Sequence, residues 1–494
     1  MRANTTPGRT RDGSVLGTRP HQSLYRGRAA FSSSEDLLEA DCSPFEPVRV
    51  IGNVDVPLTA RKLRQIIRQE RLRWLAGTLV NGACLLVALA AVVVGSSASA
   101  AAAASDIAGC NEPAADPIAW FDLPGQLPFQ ALPSSDGCWI FVSLATGDGE
   151  AGDDDPKGNI ALLKRRRGHI DLVRVAHVGG NPNGMALTHD GRVLVVADGN
   201  RIAFLDTDRL ISGDGGAVLG FWRDSAPAPE HEYVTITSDD KYLFVSDENV
   251  RTISVINLAS AREARFAQSP AAGKIPVGFG PVAVTLSPDE RYLYVTALSM
   301  PASPDWPEEC VREYDPHKSR QPQGAVFVID VARAETDAAS AVIAVAKAGC
   351  TPIRLVLSPS GDTAYVSGRG DNTLRAFDAH RLAADPDQSL LGKVSTGSTP
   401  IGIAVVDSGR KLVVTNSNRF GTSSTDQSLL LIDATRITAG DAAVLGAIPA
   451  RSLPREMRTT SDGHTLLVVN TLSQQLQVID LLKLAQVMHA ANKR

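Results

Sequence analysis

Short apolar runs alternate with polar turns along residues 117–484, and one version of this pattern recurs seven times. The clearest copy is Pro281-Val-Ala-Val-Thr-Leu-Ser-Pro-Asp289-Glu-Arg-Tyr-Leu-Tyr-Val-Thr296, in which a polar turn separates two apolar runs. Such a pair of runs predicts two antiparallel strands joined by a tight hairpin. We call the first residue of each copy its anchor, and the seven anchors are Pro128, Pro182, His231, Pro281, Pro352, Pro400 and Pro454.

A third apolar run follows the hairpin and often ends in Asp, as in Phe204-Leu-Asp206 and Val328-Ile-Asp330. A repeat of about 50 residues that holds four short strands is typical of a β-propeller blade. We therefore predict an all-β fold, a seven-bladed β-propeller over residues 117–484. An irregular β-sandwich is the alternative, and the constant spacing argues against it. The residues that stand eight positions after the anchors are Asp136, Asp190, Asp239, Asp289, Ser360, Ser408 and Asp462.

The last repeat lacks a fourth strand, because the residues from Leu482 onward have a helical pattern. The segment Pro117–Gly125 matches the outer strands that precede other anchors. We predict that it completes blade seven, which joins both ends of the propeller in one sheet and removes an exposed edge.

This closure also defines the two faces of the ring. The loops between second and third strands share one face, called the top, with the connections between blades. The basic turn Lys164–His169 lies on the opposite, bottom face, against either anionic lipid or solvent.

The chain before the propeller has the composition of a membrane anchor. No charged residue occurs from Trp74 to Ser105, and residues 74–96 are long enough to span a bilayer as a helix. Basic residues precede this segment, which predicts a cytoplasmic amino end and an extracytoplasmic propeller, periplasmic or extracellular. A cleaved signal peptide and a secreted protein are the alternative, because Ser97-Ala-Ser-Ala100 resembles a cleavage site.

Composition therefore divides the rest of the chain into segments around the predicted propeller. They are a disordered cytoplasmic region (1–60), a basic juxtamembrane segment (61–73), a transmembrane helix or signal anchor (74–96), an Ala-rich linker (97–116) and a C-terminal tail (485–494).

The charge of the chain is unevenly distributed. Residues 1–73 contain 13 Lys and Arg against 8 Asp and Glu, whereas the whole chain has a net charge of −5. The extracytoplasmic part is therefore acidic, which argues against nucleic-acid binding because that depends on phosphate neutralisation. We expect a monomeric propeller attached to the membrane by one helix.

Four of the six cysteines lie in the extracytoplasmic part, an even number in an oxidising compartment. Cys310 lies in the longest top loop, Leu298–Gln323, and Cys350 precedes an anchor on the same face. We predict the bridges Cys310–Cys350 and Cys110–Cys138. The first would pin the long loop over the channel mouth, where propellers usually bind their ligands. A stapled loop on a rigid scaffold is typical of a binding site, although a stabilised insertion is the alternative.

Charged residues in the inner strands are the candidate catalytic groups. Inner strands are largely buried, so charges there need partners or a ligand. Arg354 and Glu456 stand two residues after their anchors, and Arg458 stands four after. An arginine would hold an anion while Glu456 activates water. His231, an anchor on the top face, is the fourth candidate.

The top of the second strand carries candidate ligand-binding residues. Carboxylates and amides there would coordinate a cation or a hydroxyl-rich ligand, or would simply cap the turn. Glu232 and Arg455, each directly after an anchor, are further candidates. The sequence predicts no cofactor and no metal. The Gly-rich segment Gly147–Gly152 leads into acidic residues rather than a helix, which would repel a pyrophosphate, and the spacing of those acidic residues fits no EF-hand calcium site. The four residues at the top of the second strand are Asp198, Asp247, Asn416 and Asn470.

The second strand of the repeat resembles the YVTN family of β-propellers. The segments that carry this resemblance are Tyr294-Val-Thr-Ala297, Val413-Val-Thr-Asn416, Tyr365-Val-Ser-Gly368, Phe244-Val-Ser-Asp247 and Leu467-Val-Val-Asn470. The resemblance covers about residues 117–484 and implies a scaffold like that of surface-layer and periplasmic binding proteins and of sugar-lactone hydrolases. No catalytic motif of that family transfers residue by residue.

Two functions follow from these patterns. The first is a binding module that presents its top face to a protein, a glycan or a small molecule. The alternative is a lactonase-like hydrolase of a sugar lactone or related ester, built on the same scaffold.

Overall fold

The computed structural model describes residues 110, 112, 114, 116–146, 158–166, 168–267, 271–313, 317–421 and 427–491. The predicted segments 1–60, 61–73 and 74–96, most of the linker and the Gly-rich segment 147–152 lie outside these residues. Among the residues described, no helix combines the length and the apolar composition needed to cross a membrane.

Seven four-stranded antiparallel sheets confirm the predicted seven-bladed propeller. Blade one comprises β2 (Leu127–Pro133), β3 (Trp139–Ala145), β4 (Asn159–Arg166) and β5 (His169–His177). Blade two comprises β6 (Pro182–Leu187), β7 (Val193–Asp198), β8 (Arg201–Asp206) and β9 (Val218–Arg223). Blade three comprises β10 (His231–Ile236), β11 (Tyr242–Asp247), β12 (Thr252–Asn257) and β13 (Ala271–Pro276).

Blade four interrupts its strand order with a long loop. It comprises β14 (Phe279–Leu286), β15 (Tyr292–Ser299), β18 (Gly324–Asp330) and β19 (Val342–Gly349), and its loop forms a small hairpin from β16 (Cys310–Val311) and β17 (Arg320–Gln321). Blade five comprises β20 (Pro352–Leu357), β21 (Thr363–Gly368), β22 (Thr373–Asp378) and β23 (Leu390–Ser395). Blade six comprises β24 (Pro400–Val406), β25 (Lys411–Asn416), β26 (Ser428–Asp433) and β27 (Val444–Pro449).

Blade seven joins the two ends of the propeller. Its strands are β28 (Pro454–Thr459), β29 (Thr465–Asn470), β30 (Gln475–Asp480) and β1 (Ile118–Asp122). Strand β1 pairs with β30 so that Trp120 lies opposite Gln477 and Ile118 opposite Ile479. The predicted closure of the ring is therefore confirmed.

Short helices follow the third strands of several blades, and their caps explain the recurrent Asp. Asp206, Asp330 and Asp378 each accept a backbone N–H of the helix that follows, as N-cap residues do. The helices are α1 (Thr207–Ser212), α2 (Leu258–Glu263), α3 (Val331–Thr336), α4 (Ala379–Ala384) and α5 (Leu481–Ala491). Four 3₁₀ segments span Ala338–Ser340, Pro386–Gln388, Asp407–Gly409 and Ala434–Ala443.

The hydrophobic core lies between neighbouring blades. Phe141 and Leu162 of blade one, for example, pack with Leu194 and Val196 of blade two, and all four side chains are fully buried. Each sheet is therefore covered on both faces, which explains why its middle strands are almost continuously apolar rather than alternating.

The predicted basic turn contributes to the joint between blades one and seven. The Arg165 guanidinium is buried, donates to Gly137 O at 3.3 Å and to Thr465 Oγ1 at 3.1 Å, and lies 3.8 Å from Asp462. Burial lowers the pKa of Arg165, and the carboxylate of Asp462 opposes this shift. Within this turn, Arg165 is buried and holds two blades together.

Candidate functional site

The top opening of the central channel forms a cavity of about 200 Å³. Each inner strand contributes the residue directly after its anchor, and in five blades the residue 17 positions after the anchor, at the end of the second strand, also lines the cavity. Glu232 and Arg455 belong to the first set, and Glu248 and Arg369 belong to the second. The other charged residues that line this cavity, which we call the mouth, are Glu230 and Arg419.

A buried ion pair forms the floor of the mouth. The Arg354 guanidinium contacts the Glu456 carboxylate directly, and Tyr233 Oη donates to the same carboxylate at 3.4 Å. The Arg354 guanidinium also lies 3.4 Å from the centre of the Tyr233 ring. Burial lowers the pKa of Arg354, and Glu456 opposes this shift. These residues stand two positions after their anchors, so position along the inner strand corresponds to depth in the channel.

A second cavity of about 320 Å³ lies below this floor. Arg458, four residues after its anchor, is exposed and lines this lower cavity. Of the four candidate catalytic residues, the structure brings Arg354, Glu456 and Arg458 to the wall of this lower cavity, where Arg354 and Glu456 pair with each other.

The carboxylates of the mouth are only partly compensated. Glu232 lies 3.4 Å from Arg455, whereas Arg369 pairs at 2.6 Å with Glu313 of the long loop. Within the described part of the chain, Glu248 has no ion pair closer than 4 Å. The charge on Glu232, burial and Glu230 raise the pKa of Glu248 to about 8, although Arg369 and Arg455 oppose the shift.

Both predicted disulfides are formed. Cys310–Cys350 connects β16 to the connection between blades four and five, and Cys110–Cys138 ties the incoming chain to blade one. The first bridge fixes the long loop beside the mouth, where the contact between Glu313 and Arg369 connects that loop to the cavity wall. Leu298, at the start of the same loop, lines the mouth directly.

The four polar residues at the top of the second strands act mainly as caps. Asn416 accepts the Gly397 N–H at 2.9 Å, and Asn470 accepts the Arg451 N–H at 3.0 Å. Asp198 is buried and lies 2.6 Å from the guanidinium of Arg201. These contacts explain why Asp or Asn recurs there without requiring a ligand.

Asp247 is the fourth of these residues, and its two oxygens have different surroundings. Oδ1 accepts the N–H groups of Glu230 at 3.1 Å and Val250 at 3.2 Å. Oδ2 lies 3.8 Å from Nδ1 of His231, and both residues are fully buried. Burial raises the pKa of Asp247 and lowers that of His231 to about 4. His231 therefore lies between blades two and three, beside the Trp222 ring, and not with Glu456 in the channel.

Sequence reasoning missed Glu230, Glu248, Arg369 and Arg419 as mouth residues. A signal for two of them was present, because Glu248 and Arg369 both stand 17 residues after their anchors. The same offset gives Ala145, Leu298 and Thr471, which also line the mouth. The four polar residues at the top of the second strands stand one position earlier, and they point away from the mouth because successive residues of a strand point to opposite faces.

Comparisons with known proteins agree on the fold. The β-propeller domain of Cps50 (Swd1) from Myceliophteria thermophila is 12% identical, and the match covers 73% of this chain and 99% of that one with a TM-score of 0.51. A chain of the Kuenenia stuttgartiensis hydrazine synthase is 16% identical (73% and 96% covered, TM-score 0.51). A chain of the mitotic checkpoint complex is 12% identical (74% and 94% covered, TM-score 0.53).

No family model and no curated protein sequence matches the chain. The structural similarities, at such low identity, show the seven-bladed propeller fold alone. The resemblance to the YVTN family therefore stays a prediction.

Proposed function

We propose that this protein is a membrane-tethered, non-catalytic binding module that receives part of a partner molecule in the mouth of its channel. The observation that supports this most is the direct pairing of Arg354 with Glu456 below the mouth. A carboxylate that activates water must reach its substrate, whereas this one is buried and compensated by a guanidinium and a phenol. The pair thus serves as a rigid floor for whatever enters from above.

The size of the mouth favours insertion of one group over enclosure of a whole small molecule. Small-molecule sites usually measure about 300–1,000 Å³. The mouth, at about 200 Å³, suits a single long side chain or one sugar ring. Propellers are common protein-interaction modules, so a side chain presented by a partner protein is the occupant that we favour.

Three carboxylates and three guanidiniums line the mouth, and it is the charge beside Glu248 that favours a cationic group. Glu232 and Glu230 raise the pKa of Glu248, which means that negative charge accumulates where no cation within 4 Å compensates Glu248 among the described residues. An ammonium or guanidinium group placed beside Glu248 would relieve this repulsion. A Lys or Arg side chain of a partner has both the required charge and the required length.

Hydrolysis of a lactone or ester is the second candidate. Glu248 favours it, because a carboxyl with a pKa of about 8 is protonated at neutral pH and can act as a general acid. Its proton would pass to the leaving oxygen while water attacks the carbonyl carbon.

The membrane tethering that we propose rests on the uncharged segment 74–96, which lies outside the described residues.

An array of peptides with Lys, Arg, Glu or uncharged side chains at the central position tests the binding function on the full-length chain. We expect Lys or Arg peptides to bind, because a bound cation lowers the pKa of Glu248 and favours its ionised form. The Glu248→Gln variant keeps the shape but cannot ionise, and it should bind them about tenfold more weakly. Glu263→Gln, on the exposed helix α2, is the matched control and should bind like the wild type.

A parallel panel of lactones and esters separates the two candidates. Turnover by the wild type that is lost in Glu248→Gln or Glu456→Gln would replace the binding function with hydrolysis. Equal binding of acidic and basic peptides would contradict the proposed choice of a cationic group.

A further inference from the structure

Blade three departs from the other six blades at its anchor. Six anchors are proline, whereas blade three has His231, whose side chain is fully buried. The residue paired with it across the sheet is Asp247, and Asp224 follows the outer strand of the preceding blade. One ligating atom from each of these three residues lies within 4.8 Å of the others. The interface between blades two and three is therefore the one where a buried histidine replaces the proline found at the anchors of the other six blades.

Three polar atoms of this cluster lack hydrogen-bond partners among the described residues. Both ring nitrogens of His231 and Oδ2 of Asp247 are buried without a hydrogen-bond partner in the described part of the chain. A buried polar group left unpaired is unfavourable, and native proteins rarely retain several in one place. The first oxygen of Asp247 is occupied by two backbone N–H groups, so its second oxygen is held in position facing the imidazole.

We propose that Asp224, His231 and Asp247 bind a divalent transition-metal ion of the zinc class. Imidazole and carboxylate are both zinc ligands, and two ligands bonded at the usual lengths lie about 3.4 Å apart in a tetrahedral site. The distance of 3.8 Å between His231 Nδ1 and Asp247 Oδ2 is close to this value, whereas the full set of three ligand atoms, which lie within 4.8 Å of one another, must contract further around an ion. Three protein ligands leave the fourth position to water.

Lys274 is the cation that competes for this site. Its ammonium lies 2.6 Å from both oxygens of Asp224, and Ser254 and the Ala226 N–H also contact that carboxylate. The Lys274 side chain is one-third exposed, so it can turn towards solvent when a metal ion binds. Metal binding therefore exchanges a monovalent ammonium on one carboxylate for a divalent ion shared by three ligands.

The proposed site lies directly behind the mouth. His231 separates Glu230 from Glu232 along the chain, and Asp247 immediately precedes Glu248. A metal bound to β10 and β11 would fix the strand ends that position these three carboxylates. The metal site does not depend on what the mouth binds, because its ligands do not line the mouth.

Calorimetric titration of Zn²⁺ into the metal-free full-length chain, prepared without a histidine tag, tests the proposal. We expect one equivalent to bind, and Co²⁺ in its place to give the visible absorption bands of a four-coordinate ion. Asp247→Asn should lower the affinity by about tenfold or more. That substitution introduces the residue found at this position in blades six and seven, and it keeps the oxygen that caps the connection between blades.

Two further variants complete the test. Lys274→Met removes the competing ammonium and should raise the zinc affinity by about tenfold. Asp239→Asn changes an exposed carboxylate of the same blade and should leave zinc binding unchanged. If Asp247→Asn does not fold, Asp224→Asn replaces it with the same expected loss. Three results would each overturn the proposal. They are the absence of a stoichiometric zinc site in the wild type, zinc binding only after Lys274→Met, and wild-type zinc affinity in Asp247→Asn or Asp224→Asn.

Discussion

At the residue scale, hydroxyl side chains explain the most regular part of the repeat. Every inner strand contains a bulge between its anchor and the third residue after it, for example between Pro281 and Val284. In five blades a Ser or Thr of the second strand accepts the N–H that this bulge leaves without a strand partner. The donors and acceptors are Gln130 and Ser143, Tyr233 and Ser246, Ala283 and Thr296, Arg354 and Ser367, and Gly402 and Thr415.

The Asp eight residues after the anchor has a comparable local role. Asp190 accepts the Thr188 hydroxyl at 2.6 Å and the Arg192 N–H at 3.0 Å, which fixes the hairpin turn. Asp289 and Asp462 make the same two contacts in their blades. Both features of the repeat therefore serve folding, which is why the repeat predicts architecture well and function poorly.

Thr415→Val should destabilise the propeller by about 1–3 kcal/mol, because it leaves the buried Gly402 N–H without its acceptor at 2.7 Å. Thr415→Ser keeps the hydroxyl and should lose much less. Denaturant unfolding of the full-length chain measures both free energies. A valine variant as stable as the serine variant would show that the bulge does not depend on this hydrogen bond.

At the element scale, strand β1 closes the ring. It is the outer strand of blade seven, and Gln475 also donates from its side chain to Asp122 at 2.8 Å. Without β1, strand β30 would present a row of unpaired N–H and C=O groups to other molecules.

We therefore predict that a chain beginning at residue 126 associates, whereas one beginning at residue 116 stays monomeric. Both would carry Cys138→Ala, so that they differ only in the segment containing β1. Size-exclusion chromatography with light scattering measures the oligomeric state. Equal monomer content in the two chains would mean that β30 needs no partner strand.

The sequence predicted this element because Pro117–Gly125 has the pattern of an outer strand. It also predicted both disulfides, since cysteines are few and their places in the repeat were known. It predicted the top opening and two of its charged residues, Glu232 and Arg455. It did not predict the other four, because they lie beyond the strand ends of three different blades and only the closed ring brings them together. Arg354 and Glu456 were recognised as anomalous, but only the folded ring shows that they pair with each other.

At the scale of the whole molecule, blade interfaces combine apolar packing with a few buried polar contacts. Arg165 is buried where it bridges blades one and seven, whereas Arg262 of helix α2 lies 3.0 Å from the exposed carboxylate of Asp190 in blade two. The cluster of Asp224, His231 and Asp247 lies at a third interface. Buried polar contacts of this kind specify which surfaces meet, since a mismatched interface would leave them unpaired.

The whole molecule is also the scale of the proposed tether. We expect the full-length chain to remain with membranes after a carbonate wash, and a chain without residues 74–96 to become extractable, because that segment is long enough to span the bilayer. Immunoblotting of the washed membranes and of the supernatant measures this. Release of the intact full-length chain by carbonate would contradict the tether.

The pairing of β1 with β30 also sets the order of events during biosynthesis. Asp122 and its partner Gln475 are separated by 353 positions in the chain. At ribosomal speeds of about 5–20 residues per second, β1 waits roughly 20–70 s for its partner strand to be made. Blades one to six can assemble in that interval, but the ring cannot become circular until β30 has been made. Chaperones that shield nascent chains would therefore act on β1 and the first blade for longer than on any later part of the ring.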